Sequence, residues 1–105
     1  MTDFAFLHGG GQGSWVWDET IAAMRVQSGG QHRYLALDVP GCGRKRECET
    51  SAIGFDDIVA ELVADVRQAA FADVVLIGHS QAGTVLPRMA ASAPGLFGRL
   101  VHVST

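Results

Sequence analysis

The sequence has 105 residues, which is enough for one small domain and too few for two. Hydrophobic residues make up 48% of it and charged residues 18%, so the chain can bury a core and is not a disordered tail. The formal net charge of −3 argues against a nucleic-acid or acidic-membrane partner, because either would need a basic face.

Four short apolar runs predict the strands of a sheet. They lie at residues 4–7, 34–37, 74–77 and 100–103. Near-continuous apolar runs of this length are typical of strands that are buried on both faces, as they are in a parallel sheet. We therefore expect about four parallel strands.

Helices are predicted between these strands. A short helix is expected over about residues 18–27 and is ended by the glycines at 29–30. Apolar residues recur at helical spacing over residues 55–70 and again over 82–93, where Pro87 removes one helical hydrogen bond and predicts a mild kink. This alternation predicts an α/β fold, a parallel sheet of about four strands with right-handed crossovers and helices on both faces.

Cellular location and cysteine chemistry are predicted from what the sequence lacks. It has no apolar segment of the roughly 18 residues that a membrane span needs, and its first residues do not have the layout of a signal peptide. We therefore expect a cytoplasmic protein with no membrane partner. Cys42 and Cys48 are then expected to be free thiols, although a disulfide between them stays open. No histidine pair is spaced to complete a zinc site with them, so no metal is expected.

One strand-to-helix junction carries a serine. Residues 78–83 read GHSQAG and lie directly between the third predicted strand and the helix that follows it. A serine in such a sharp turn is pushed outward above the sheet, and Gly78 and Ala82 are small because the turn brings backbone segments close together. The following helix points free N–H groups at charge developing near Ser80. This pattern predicts an acyl-transfer nucleophile, and the simpler alternative is a serine that only caps the helix.

A glycine-rich junction follows the first predicted strand. Residues 8–14 read HGGGQGS, and consecutive glycines expose backbone N–H groups of the kind that an oxyanion hole requires. The alternative is a phosphate-binding loop for a dinucleotide, with Asp38 holding a ribose. The Gly-x-Gly-x-x-Gly spacing fails, however, because the sixth position from Gly9 is Ser14, and two nearby tryptophans would crowd a pyrophosphate. We therefore expect no cofactor.

Three segments together resemble the α/β-hydrolase superfamily, and within it the branch of small esterases and hydroxynitrile lyases. They are residues 8–17 (HGGGQGSWVW), 38–43 (DVPGCG) and 78–83 (GHSQAG), in this order and spacing. One departure is Ala82, which occupies the second glycine position of Gly-x-Ser-x-Gly. The resemblance implies a partial α/β-hydrolase fold, in which residues 1–105 are the N-terminal part of a single domain. Its C-terminal half, with the acid, the base and the cap, is absent.

The resemblance also implies roles for individual residues. Ser80 is expected to be the nucleophile, and the backbone N–H groups of Gly10 and Gln81 are expected to form the oxyanion hole. The residues expected to support these two loops are His8, Gly9, Gly11, Gly78, His79 and Gly83. The implied partner is a small acyl compound, and neither a metal nor an organic cofactor is implied. Nothing in the sequence indicates the oligomeric state.

A serine nucleophile needs a base, and the base needs an acid to hold it. After Ser80 the sequence has one histidine, His102, and no Asp or Glu. His102 lies within a predicted strand, His32 is at the wrong end of the sheet, and the turn should point His79 away from the serine hydroxyl. His8 fits an orienting role in its own loop better than the role of a base. We therefore expect the acid and base to lie outside these 105 residues, and the chain to be inactive alone.

Three functions stay open at this point. The first is a serine hydrolase acting on a carboxylic ester or related acyl substrate. The second is a lyase of the same fold with Ser80 in an acid/base relay, since the fold does not fix the reaction. The third is a non-catalytic binding module with a vestigial site. The substrate cannot be read, and Trp15, Trp17 and Met24 are expected to be packing residues rather than substrate contacts.

Overall fold

Strands and helices alternate along the chain. The computed structural model describes residues 2–10, 12–45, 54–80 and 82–103. The elements are β1 (Asp3–Leu7), α1 (Asp18–Ser28), β2 (Arg33–Leu37), α2 (Phe55–Gln68), β3 (Val74–His79), α3 (Ala82–Ser92) and β4 (Phe97–Val103). Two short 3-10 helices, Ser14–Trp17 and Gly43–Lys45, lie in the loops. Within the described ranges, no helix has both the length and the apolar composition to cross a membrane.

The four strands form one parallel sheet in the order β2-β1-β3-β4. Leu7 at the end of β1 pairs with Leu37 of β2 on one side and with Gly78 of β3 on the other. The carboxyl ends of these three strands therefore lie side by side, and the loops that follow them meet at one edge of the sheet, where sheets of this type hold their ligands. The predicted α/β fold is confirmed.

β4 begins at Phe97, earlier than the strand predicted over residues 100–103. Gly98 and the charged residue after it interrupt the apolar run, so the sequence pattern hides the first part of the strand. Phe97 pairs with Val74, and after a register irregularity the pairing resumes at Val75. Backbone pairing with β3 thus extends β4 through residues whose side chains carry no strand signal.

α2 and α3 pack together on one face of the sheet and form the core with it. The side chains that α2 buries are Val59, Leu62, Val63 and Val66. They are the apolar stripe that the helical spacing predicts. Opposite them, the buried sheet residues are Ala5, Leu7, Leu37, Val74 and Leu76. Since each fully buried aliphatic side chain contributes about 1.5–3 kcal/mol, this layer supplies much of the hydrophobic stabilisation.

The opposite face of the sheet is covered more thinly. Trp17 is buried against Phe6, with ring centroids 5.1 Å apart, but no residue within the described range of α1 is fully buried. Phe4 and Ile77, which point to this face, stay half-buried. The prediction that Trp15 packs inside is wrong, since its side chain is 62% exposed. It lies on the solvent side of the first 3-10 helix, whose inner side is taken by Trp17.

An ion pair joins the strands at the amino end of the sheet. Asp3 is 4% exposed and accepts hydrogen bonds from Arg33 Nε (2.8 Å), Arg33 Nη2 (2.7 Å) and the N–H of Ala72 (2.9 Å). The hydrogen bonds from Arg33 outweigh the opposing effect of burial and hold the pKa of Asp3 below its ordinary value. The carboxylate thus ties β1 to β2 and to the turn before β3, at the end of the sheet remote from Ser80.

Candidate active site

Ser80 lies in the turn between β3 and α3. Its φ is +57°, in the left-handed region, where a non-glycine residue costs about 1–3 kcal/mol. Its N–H donates to the carbonyl of Val103 (3.1 Å), and its carbonyl accepts from the N–H of Gly83 (3.0 Å). The turn is therefore held from both sides while the serine itself stays exposed. A strained, exposed serine in a sharp strand-to-helix turn is the arrangement that the sequence pattern predicts here.

Gly78 allows α3 to approach β3 closely beneath this turn. A Cβ placed at residue 78 would lie 2.6 Å from Cδ1 and 2.9 Å from Cγ of Leu86, which is itself fully buried. A side chain at residue 78 would therefore force the buried side chain of Leu86 to shift. Ala82, in the second glycine position of the motif, is buried without disrupting α3, so the departure from Gly-x-Ser-x-Gly is accommodated.

The glycine loop after β1 lies directly against the serine turn. A Cβ added to Gly9 would stand 3.2 Å from Cβ of Ser80 and 3.4 Å from Nδ1 of His79. The N–H of Gly9 donates to Oε1 of Gln12 (3.0 Å), and the N–H of Gln12 donates back to the carbonyl of Gly9 (3.3 Å). The Gly9 N–H is therefore already engaged. Gly10, next in the loop, is exposed.

His8 joins this loop to the loop that follows β2. The ring is 3% exposed, and Nε2 accepts the N–H of Val39 (3.1 Å). Since a backbone N–H can only donate, the ring proton is assigned to Nδ1, which lies 2.7 Å from the carbonyl of Gly9 and donates to it. Both ring nitrogens are thus engaged in holding backbone. A histidine in this state orients its loop and is not available to accept a proton from Ser80.

Asp38, the first residue after β2, is a buried carboxylate that holds two loops. It is 2% exposed, its Oδ1 accepts the N–H of Ser14 (2.7 Å), and its Oδ2 accepts from Nε of Arg44 (2.8 Å). Burial opposes its ionisation, but the hydrogen bonds from Arg44 and Ser14 outweigh burial and hold the pKa of Asp38 below its ordinary value. Both carboxylate oxygens of Asp38 already accept hydrogen bonds from the protein. In the alternative in which this loop binds a dinucleotide, Asp38 would therefore have no free oxygen for the ribose.

A cavity of about 440 Å³ opens beside Gly9 and Gly10. Its apolar wall is formed by Leu7, Val39, Phe55, Ile58, Ala82 and Val85. No charged side chain is among the lining residues that the structure describes, and the polar groups come from the glycine loop, Cys42 and Thr84. A cavity of this size and polarity fits the uncharged part of a small organic molecule.

The other histidines are distributed over the molecule. His32 lies at the amino end of the sheet, where Nδ1 accepts the N–H of Thr2 (2.9 Å). His102 is exposed on β4 and pairs with Gly78. Among the described residues, no histidine ring is hydrogen-bonded to Ser80.

The site residues expected from the sequence divide into three groups. Those that the structure brings together at the carboxyl edge are His8, Gly9, Gly10, His79 and Ser80. Gly78 and Gly83 lie beneath and after the turn, in contact with Leu86 and with the carbonyl of Ser80. The predictions for Gly11, Gln81 and Cys48 fall outside the described residues. The sequence did not point to the structural role of Asp38, although its position at the end of a buried strand before PGCG was a usable signal.

Comparison with known proteins places this fold and edge in one family. The profile of the alpha/beta hydrolase family matches residues 4–105, nearly the whole chain. The chain therefore belongs to the alpha/beta hydrolase family.

Its curated relatives are esterases. An esterase of Mycobacterium tuberculosis is 35% identical over 99 residues, which cover 93% of this chain and 31% of that protein. A carbendazim-hydrolysing esterase of Nocardioides sp. is 28% identical over 90 residues, which cover 86% of this chain and 36% of that protein. The chain thus spans about a third of the length of the curated relatives it matches.

Solved structures superpose on almost all of the described fold. An extracellular alpha/beta-hydrolase from a Paenibacillus species gives a TM-score of 0.82 at 24% identity, covering 97% of this chain and 40% of that one. A methylesterase from Arabidopsis gives a TM-score of 0.82 at 17% identity and covers 97% of this chain and 42% of that one. At these identities the superpositions show the fold alone.

Proposed function

We propose that the protein carrying this chain is a serine hydrolase that acts on a carboxylic ester or related acyl compound, with Ser80 as its nucleophile. The observation that carries the proposal is the strained backbone of Ser80, φ +57°, in a turn that lies beside Gly9, and Gly9 lines an apolar cavity. Strain of this kind persists only where the surroundings fix it, and it gathers at functional sites. The esterase names of the relatives support the same class of reaction.

In the proposed reaction, Oγ of Ser80 forms a bond to the carbonyl carbon of the ester. The electron pair of the C=O π bond moves onto the carbonyl oxygen, and the hydroxyl proton passes to a base. When the tetrahedral intermediate collapses, the bond to the alcohol breaks and the base returns the proton to the leaving oxygen. Water then attacks the acyl-enzyme in the same way and releases the carboxylic acid.

The negative oxygen of the intermediate would be bound by backbone N–H groups. Since the N–H of Gly9 is engaged with Gln12, the donor proposed from the glycine loop is Gly10, and the second is Gln81. The N-terminus of α3 adds its positive end at the same place. A single such donor is typically worth about a hundred- to a thousandfold in kcat.

The base and acid are proposed to come from parts of the protein outside these 105 residues. His8 has both nitrogens engaged, and His32 and His102 lie on other parts of the sheet. Under this proposal the 105-residue chain alone shows no turnover. The substrate is proposed to be a small molecule, and a cytoplasmic location stays a prediction.

The proposal is tested by substitution in the longer protein that carries this chain. Ser80→Ala should lower kcat for p-nitrophenyl butyrate at least about 10⁴-fold, because no other group takes the place of the nucleophile. Ser92→Ala is the matched control, since Ser92 is an exposed serine on α3 whose hydroxyl donates only to the carbonyl of Met89. It should keep the wild-type rate. Retained turnover in Ser80→Ala would remove Ser80 from this role.

The same protein separates the alternatives. An acyl group trapped on Ser80 at low pH and detected by mass spectrometry supports hydrolysis over a lyase relay, in which no acyl-enzyme forms. A protein that neither hydrolyses esters nor forms an adduct at Ser80 would be the non-catalytic binding module.

A further inference from the structure

We infer that Asp38 is a positioning residue for the reaction, and that it acts by fixing the glycine loop whose Gly10 N–H faces the developing oxyanion. The inference rests on the proposed function. It concerns a side chain that follows β2, whereas Ser80 follows β3, and that does not line the cavity beside Gly9 and Gly10.

The glycine loop is fastened at both of its ends to two consecutive residues. At its start, His8 accepts the N–H of Val39 and donates to the carbonyl of Gly9. At its end, the N–H of Ser14 donates to Oδ1 of Asp38 at 2.7 Å. The hydrogen bonds thus fix both ends of the glycine loop, at His8 and at Ser14, to the backbone of Val39 and the carboxylate of Asp38.

The Asp38 carboxylate is itself held in place. Its Oδ2 accepts from Nε of Arg44 at 2.8 Å, and Nη2 of the same guanidinium donates to the carbonyl of Ala36 at 2.9 Å. Arg44 is 73% exposed and covers a carboxylate that is 2% exposed. With its pKa held low, Asp38 is ionised at neutral pH, so its bond to Ser14 is charge-assisted and stronger than a neutral one.

Gly13 and Gly43 allow the glycine loop and the loop after β2 to pack directly against each other. A Cβ on Gly13 would lie 2.6 Å from Cα of Gly43, and a Cβ on Gly43 would overlap Oδ1 of Asp38. The backbone of the glycine loop therefore rests directly on the backbone of the loop after β2. Such contact fixes Gly13, at the end of the glycine loop, against Gly43 and the Asp38 carboxylate.

The position of the loop matters for the rate because Gly9 lies beside the serine turn, where a Cβ added to Gly9 would stand 3.2 Å from Cβ of Ser80. A displacement of the loop changes the distance between the Gly10 N–H and the oxygen attached to the attacked carbon. A misplacement of about 1 Å in such a site can cost about a hundredfold. The effect falls on the transition state, where the oxygen is charged, and not on binding of the uncharged ester.

The test compares two buried carboxylates at opposite ends of the sheet. In the longer protein, Asp38→Asn keeps the shape of the side chain and removes its charge. It should lower kcat for p-nitrophenyl butyrate about 10- to 100-fold with KM within about threefold of wild type. Affinity for phenylboronic acid should fall by the same factor as kcat/KM, because its boron accepts the Ser80 oxygen and becomes a tetrahedral anion in the oxyanion site.

Asp3→Asn is the matched control. Asp3 is also buried and also bonded to an arginine and a backbone N–H, but it lies at the amino end of the sheet. Asp3→Asn should lose stability, as Asp38→Asn does. It should keep kcat and the affinity for phenylboronic acid within about twofold of wild type. Equal kinetic effects in the two variants, or an unchanged kcat in Asp38→Asn, would overturn the positioning role.

Two further outcomes are separated by design. If Asp38→Asn does not fold, Arg44→Gln is the deciding variant, because it removes the hydrogen bond to Oδ2 of Asp38 and leaves the hydrogen bond from Ser14. A drop of about threefold or more in kcat supports the positioning role of Asp38, and a wild-type kcat overturns it. A wild-type protein without any Ser80-dependent ester hydrolysis would overturn the proposed function and this inference together. Normal hydrolysis with an insensitive Asp38 would overturn the inference alone.

Discussion

Replacing Ser80 by glycine should make the protein more stable while it destroys the site. A non-glycine residue at φ +57° costs about 1–3 kcal/mol, which glycine does not incur. Glycine loses more backbone entropy on folding, about 0.5–1 kcal/mol, so the net gain is about 1 kcal/mol. Ser80→Ala is the matched comparison, because it removes the hydroxyl and keeps the Cβ that causes the strain.

The assay is urea unfolding of both variants in the protein that carries this chain, monitored by circular dichroism. We expect Ser80→Gly to exceed Ser80→Ala by about 1 kcal/mol in free energy of unfolding, with equal slopes. A difference of this size corresponds to a shift of about 2–8 °C in Tm, the smaller shifts belonging to the larger domains. A glycine variant that is less stable than the alanine variant would refute the strained turn.

Three further predictions concern packing and pH. Gly78→Ala should destabilise by about 1–3 kcal/mol in urea unfolding, because its Cβ would lie 2.6 Å from the buried Leu86; a neutral result would show that α3 does not pack so closely. Trp17→Ala should lower the free energy of unfolding by about 3–5 kcal/mol in the same assay, because the Trp17 ring is buried. Trp15→Ala should lower it by less than about 0.5 kcal/mol, because the Trp15 ring is exposed. Similar losses in the two variants would contradict this difference in burial. The folded pKa of Asp38 is below its ordinary value of 3.8, so its ionisation stabilises the fold above that pH, and this stabilisation is lost as the pH falls through the folded pKa. The difference in free energy of unfolding between wild type and Asp38→Asn should therefore be constant above about pH 5 and shrink below about pH 4. A difference that grows on acidification would contradict the sign.

The architecture was predictable because its signals are local. Parallel strands buried on both faces need continuous apolar runs, and three of the four strands carry one over nearly their whole length. β4 was predicted too short, because Gly98 and Arg99 interrupt the apolar run, and Gly98 lies at the register irregularity between the pairs Val74–Phe97 and Val75–Arg99. The exposed Trp15 was missed for a related reason, since hydrophobicity does not tell which side of a short 3-10 helix faces the sheet.

The elbow was also a local signal, because strand, serine and helix are contiguous in sequence. The role of Asp38 was not local. Its partner Ser14 lies 24 residues earlier, and their contact depends on β1 and β2 ending side by side. The same holds for His8 and Val39, 31 residues apart. Sequence reasoning placed His8 in an orienting role but could not name the backbone that it holds.

The central claim, that Ser80 is a nucleophile, is tested most directly by covalent labelling. The longer protein is treated with diisopropyl fluorophosphate, in which the serine oxygen displaces fluoride from phosphorus, and is then digested with trypsin. Cleavage after Arg67 and Arg88 releases residues 68–88, a peptide whose single serine is Ser80. We predict that Ser80 in this peptide carries the diisopropylphosphoryl group, and that the same peptide from acid-denatured protein is unmodified. An unmodified 68–88 peptide in a folded protein that hydrolyses esters would contradict the account, because the nucleophile would then lie elsewhere.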